Sequence, residues 1–185
     1  MKTIGLLGGM SWESTVGYYQ AINKGVKESL GGLHSAKIAM YSVDFSQIEK
    51  LQHSGDWEGT AEILIGAAKN VQAAGADVLL ICTNTMHKVA PQIESAIDIP
   101  LLHIADATAE VLVEKGIKTV GLLGTAFTME QDFYKGRLTN NYGLTVHIPA
   151  EADREIIHNV IYKELCLGEV NSSSKIEYLR IIEDL

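Results

Sequence analysis

Lys2-Thr3-Ile4-Gly5-Leu6-Leu7-Gly8 returns as Lys118-Thr119-Val120-Gly121-Leu122-Leu123-Gly124, an offset of 116 residues. Six of the seven positions are identical, and the seventh exchanges Ile for Val. Each copy reads as a buried strand ending in glycine, followed by a helix with acidic and tyrosine residues. These are Glu13 and Tyr18 after the first copy, and Glu130 and Tyr134 after the second. A strand-turn-helix opening that repeats at a long spacing signals duplication. The repeat therefore predicts two similar domains, residues 1–100 and 101–185.

Short β-rich runs alternate with helical stretches on either side of these openings. Strands are predicted at 3–7, 37–43, 78–82, 99–104, 119–123 and 145–148. Helices are predicted at 14–30, 57–74, 106–115, 129–142 and 152–167, with Gln52 and Lys163 on helices as well. Strict alternation of strand and helix points to an α/β protein with parallel sheets. Val78 to Cys82 is apolar throughout, as expected of a strand covered on both faces. The end of the chain reads as an amphipathic helix with Ile176, Leu179, Ile182 and Leu185 on its apolar side.

Composition narrows the function. The chain of 185 residues carries 15 Lys plus Arg against 23 Asp plus Glu, a formal charge of −8. An acidic protein is a poor electrostatic match for nucleic acid or an anionic membrane surface. No apolar run approaches the ~18 residues of a membrane-spanning helix, and the N-terminal stretch is too short for a secretory signal. Two cysteines, Cys82 and Cys166, make no disulfide framework, so a reducing cytoplasm is the expected location. The six histidines show no metal-ligand spacing. Gly5 to Gly9 does not match the dinucleotide fingerprint, and no P-loop is present. Cys166, His103, Trp12 and Trp57 read as packing residues.

Ligands of open α/β sheets bind beyond the carboxyl ends of the strands. Three such ends carry small polar groups: Gly8-Gly9-Met10-Ser11, Cys82-Thr83-Asn84-Thr85-Met86-His87, and Gly124-Thr125. Hydroxyls, an amide and the N–H groups of a following helix could hold a carboxylate. An ordinary helix cap by Asn84 or Thr85 would use the same residues.

Three motifs in order resemble the aspartate/glutamate racemase family. They are Gly8-Gly9-Met10-Ser11-Trp12-Glu13-Ser14-Thr15, Cys82-Thr83-Asn84-Thr85-Met86-His87, and Leu122-Leu123-Gly124-Thr125 with Met129-Glu130-Gln131-Asp132-Phe133-Tyr134. The resemblance implies two Rossmann-like parallel-sheet domains related by a pseudo-twofold axis, with the active site in the cleft. It implies racemisation of acidic amino acids without pyridoxal phosphate, metal or other cofactor, in a cytoplasmic homodimer. One group removes the α-proton and another returns it on the opposite face. Family members usually supply a cysteine from each domain. Here Thr83 stands in the cysteine slot of the Cys-Asn-Thr motif, and Cys82 lies one position earlier. Adjacent strand residues point to opposite faces, so Cys82 should point away from the slot that Thr83 fills. Thr83 is thus the expected catalytic residue. Met10, Gln52, Asn84, Thr85, Thr125 and Lys163 are the expected substrate-binding residues, with Lys163 a cationic partner for the side-chain carboxylate. Hydantoin racemases, maleate isomerases and arylmalonate decarboxylases share the superfamily, and a non-catalytic amino-acid-binding role fits the Thr83 substitution.

The repeat places the counterpart of Thr83 near position 199, so the second domain is expected to be incomplete, lacking its C-terminal strand and helix. Residues 1–185 alone are accordingly expected not to racemise aspartate or glutamate. A polarimetric assay checks this, and measurable turnover by these residues would contradict it.

Overall fold

β1 (Thr3–Gly8) runs between β2 (Lys37–Ser42) and β3 (Val78–Ile81) and is parallel to both. Leu7 lies opposite Tyr41 on one side and Ile81 on the other. Parallel neighbours need crossovers. These are α1 (Trp12–Leu30), then α2 (Phe45–Ser54) and α3 (Trp57–Ala73). Asp44 and Asp56 open the second crossover's helices, accepting hydrogen bonds from the Ser46 and Gly59 N–H groups. Leu6, Leu7, Leu79 and Ile81 are fully buried, and Leu64, Ala68 and Val71 of α3 cover the sheet. A short 3₁₀ turn (Thr85–Val89) and α4 (Ala90–Glu94) follow β3.

The computed structural model describes residues 1–185 and comprises two units, Met1–His103 and Ile104–Leu185. The second unit holds α5 (Ile104–Glu114), β4 (Thr119–Gly121), α6 (Ala126–Glu130), α7 (Lys135–Tyr142), β5 (Thr145–His147), α8 (Glu151–Lys163) and α9 (Ser172–Glu183). β4 and β5 pair in parallel, as β1 and β2 do. Arg137 of α7 grips Asp106 of α5 with two hydrogen bonds of 2.6 Å.

Several predicted elements differ. The strand expected at 99–104 is a single bridge between Leu79 and Leu101, and Ile104 already opens α5. Pro100 has no N–H and cannot extend the ladder, although its carbonyl still accepts from Leu79. The helix expected over 129–142 breaks between Glu130 and Lys135. The break lets Met129 pack with Ile157 and Ile181 while Tyr134 and Leu138 join a different cluster with Leu144. The helix expected over 152–167 ends at Lys163, and Cys166 falls in a separate 3₁₀ turn where it is only half-buried. Ile176, Leu179 and Ile182 are exposed, and α9 buries Ile181 instead. A spacing of three residues drifts about 60° per step around a helix, so the expected stripe is not one face. Trp12 is 64% exposed rather than packed, whereas Trp57 packs against the first core.

Gly9 marks the tightest turn of the site region, with φ +91°. A Cβ there would meet Ser42 Oγ at 2.7 Å and the Val43 nitrogen at 2.8 Å. Gly17, inside α1, would meet nothing within 4 Å. Gly9→Ala is therefore expected to lower stability by about 2 kcal/mol or more, and Gly17→Ala to be neutral or stabilising by about 0.5–1 kcal/mol. Denaturant midpoints compare the two, and equal effects would contradict this reading.

Candidate active site

All three strands of the first sheet end at one level. Beyond it, the Val43 N–H donates to the Gly8 carbonyl at 3.0 Å, and the Cys82 N–H donates to the Leu7 carbonyl at 2.9 Å. The loops that follow β1 and β3 leave the sheet side by side. Ser14, at the start of α1, joins them: its hydroxyl lies 2.9 Å from the Ser11 carbonyl and 2.8 Å from the Cys82 carbonyl. Thr15 steadies the first loop, accepting from the Gly9 N–H at 2.9 Å.

The β3 loop separates two neighbouring side chains. Cys82 has no exposure, and burial pushes its thiol up to about 12. A thiol held neutral in the core serves neither as base nor as nucleophile near neutral pH. Thr83 is partly exposed, Asn84 is exposed, and Thr85 is buried. Burial alternates along β3 but not past it: Ile81 and Cys82 are both buried, and the chain has already bent away from the strand at Cys82 and Thr83, so the strand expected over 78–82 stops one residue early. His87 closes the turn, with Nδ1 2.8 Å from the Thr83 carbonyl.

The other predicted binding residues occupy varied settings. Met10 is buried in the first core, which leaves its side chain unavailable to a ligand. Gln52 is 1% exposed on α2. In the second unit, Thr125 caps α6, accepting from the Thr128 N–H, and Lys163 is exposed in the last turn of α8. The Ala126 N–H donates to His158 Nδ1 at 3.1 Å, which fixes the start of the same helix. The first unit thus gathers Met10, Thr83, Asn84 and Thr85 in two adjoining loops at one sheet edge, with Thr125 and Lys163 in the second unit. A cavity of about 410 Å³ between β4 and α9 is lined by residues such as Val120, Leu123 and Ile182. It offers a zwitterion few partners. No group of three or more His, Cys, Asp or Glu is placed to hold a metal ion, and no helix is long and apolar enough to cross a membrane.

Three features escape sequence reading. Ser14 bridges two loops 68 residues apart in the chain. His87 and His103 stack at 4.4 Å between ring centroids. Lys88 sets its ammonium 3.9 Å from the Trp57 ring centre, and burial lowers its pKa. Only the crowding of polar residues after β3 hinted at any of them.

Residues 7–185 match the family described as Asp/Glu/Hydantoin racemase. The chain belongs to that family. A crystal structure of a candidate Asp/Glu racemase from Yersinia pestis is 56% identical, with a TM-score of 0.90, over 100% of this chain and 80% of that one. An aspartate racemase homologue from Pyrococcus horikoshii OT3 is 33% identical, with a TM-score of 0.77, over 95% of this chain and 76% of that one. A broad specificity amino-acid racemase from Bacillus subtilis is 27% identical over 92 residues. That match covers 50% of this chain and 40% of the curated relative's length. As a racemase-family protein, the chain has a mixed α/β fold with parallel sheets over its whole length.

The contrast between the two thiols of this family member is measurable. Iodoacetamide at pH 8 is expected to modify half-buried Cys166 and to spare Cys82 until the chain is denatured. Peptide mass mapping reads the sites. Rapid labelling of native Cys82 would contradict the buried, neutral thiol.

Proposed function

We propose that the protein interconverts the enantiomers of an acidic amino acid, aspartate or glutamate, by cofactor-independent α-proton transfer, with the Thr83 hydroxyl as one of two acid/base groups. One observation carries the reading: at the strand end where the family motif has its cysteine, Thr83 is accessible and the adjacent thiol of Cys82 is buried. Proton removal leaves a carbanion-like transition state whose charge must be met by placed donors. Asn84, Thr85 and the backbone of the Met10 loop are suited to the α-carboxylate. Gln52 supports them from α2. Thr125 and Lys163 supply a hydroxyl and a cation, Lys163 toward the side-chain carboxylate. A protein of charge −8 repels an acidic substrate at long range, so these local donors must outweigh the overall field.

A threonine hydroxyl is a far weaker acid than a thiol. Proton transfer through Thr83 is therefore slow overall or unequal in kcat between the two directions, with kcat/KM the same in both because the enantiomers have equal energy. General acid–base help of this kind contributes about 10²- to 10⁴-fold. The family resemblance supports a cytoplasmic homodimer.

The threonine also favours a second reading, an amino-acid-binding protein without catalysis. Hydrogen exchange at Cα in deuterated water, followed by NMR, separates the two. The proposal expects exchange with aspartate or glutamate but not with hydantoins. Thr83→Ala should cut it by about 10²-fold or more, while Cys82→Ala should leave it and lower only stability. Thermal stabilisation by aspartate or glutamate without exchange would select the binding protein. Loss of exchange in Cys82→Ala with retention in Thr83→Ala would overturn the assignment.

A further inference from the structure

The Thr83 loop is held from beneath by a histidine that no step of the proposed reaction uses. His87 is 1% exposed. Its Nδ1 lies 2.8 Å from the Thr83 carbonyl and 3.3 Å from the Asn84 carbonyl. Carbonyl oxygens only accept, so Nδ1 must carry a hydrogen. The His87 backbone N–H also donates to the Asn84 carbonyl, at 3.1 Å. On its other side the ring packs at 58° against buried His103, 4.4 Å away.

His103 is itself anchored. Just before it, the Leu102 N–H donates to the Leu79 carbonyl, and Leu101 bridges to Leu79 in the middle of β3. The path from β3 through Thr83, His87 and His103 returns to β3. This closed frame leaves the Thr83–Asn84 peptide little freedom to rotate. Buried side-chain networks of this kind define a single geometry when their donors and acceptors are matched.

We propose that His87 is a positioning residue: its Nδ1–H fixes the Thr83 carbonyl, and so sets the direction in which Thr83 presents its hydroxyl. The role in catalysis rests on the racemase reading above. The positioning itself does not.

Asparagine and glutamine discriminate the two ring nitrogens. Asn carries its N–H where His carries Nδ1, and Gln reaches toward the place of Nε2. In the 185-residue chain, His87→Asn is expected to keep amide hydrogen exchange at Asn84 and Thr85 within about threefold of wild type. His87→Gln and His87→Ala are expected to speed it about tenfold or more, the loss of one net hydrogen bond. Ring ¹⁵N shifts should show hydrogen on Nδ1. Where α-proton exchange is measurable, Gln and Ala should lower kcat about tenfold or more with KM little changed, since misplacement of a reacting group falls on the chemical step. Asn should restore kcat. Hydrogen on Nε2 alone, or equal behaviour of Asn and Gln, overturns the proposal whatever the activity. Loop exchange that follows the expected order, in a protein that shows no α-proton exchange at all, would sink the racemase reading and leave the positioning standing.

Discussion

Parallel pairing of β1 on both of its edges is the constraint from which the site follows. The ladder fixes where β1, β2 and β3 stop, and they stop within one residue of one another. Each crossover then has to start at that same level. Backbone N–H and carbonyl groups that leave a ladder need new partners. Here Val43, Cys82, Ser14 and Thr15 supply them by tying loop to loop. Side chains brought there from distant positions become neighbours because the sheet permits no other exit. Gly9 is required by the same crowding, since any Cβ there would run into Ser42 and Val43 at the exit of β2.

The site's chemistry is set by which groups the core takes in. Cys82 and Thr83 are adjacent, yet one faces the core and the other is partly open to solvent. Burial leaves the thiol with no route to a thiolate near neutral pH, because an unpaired charge in that setting costs several kcal/mol. On the proposed reading, proton transfer falls to the Thr83 hydroxyl, a far weaker acid than a thiol. His87, buried, binds the loop's Thr83 and Asn84 carbonyls and packs against buried His103, so the loop is held by polar groups that the core has taken in.

Much of this was legible in the sequence. The repeat Lys2–Gly8 and Lys118–Gly124, the strand cores around Leu6 and Leu79, and the strand-end clusters all announced a parallel α/β protein of the racemase family. Cys82 and Thr83 do differ in burial, but both lie in the bend after β3, so the strand alternation from which the sequence reading argued is not what separates them. What was not legible came from tertiary competition. Pro100 cut a strand to one bridge because a missing N–H matters only once a partner strand is known. Helix 129–142 broke because Met129 and Tyr134 serve two clusters, a division that local periodicity does not register. The contact of His87 with His103 joins residues on separate elements, with no spacing rule to reveal it.

The central claim is that an acidic amino acid binds where the carboxyl ends of β1 and β3 meet. Titration of ¹⁵N-labelled chain with L-aspartate or L-glutamate, followed by amide shifts, tests it most directly. The account predicts saturable shifts centred on Gly9 to Ser11 and Thr83 to Thr85. Shifts centred on the opposite ends of the strands, at Lys2, Lys37 and Asp77, or no shifts with either ligand, would contradict it.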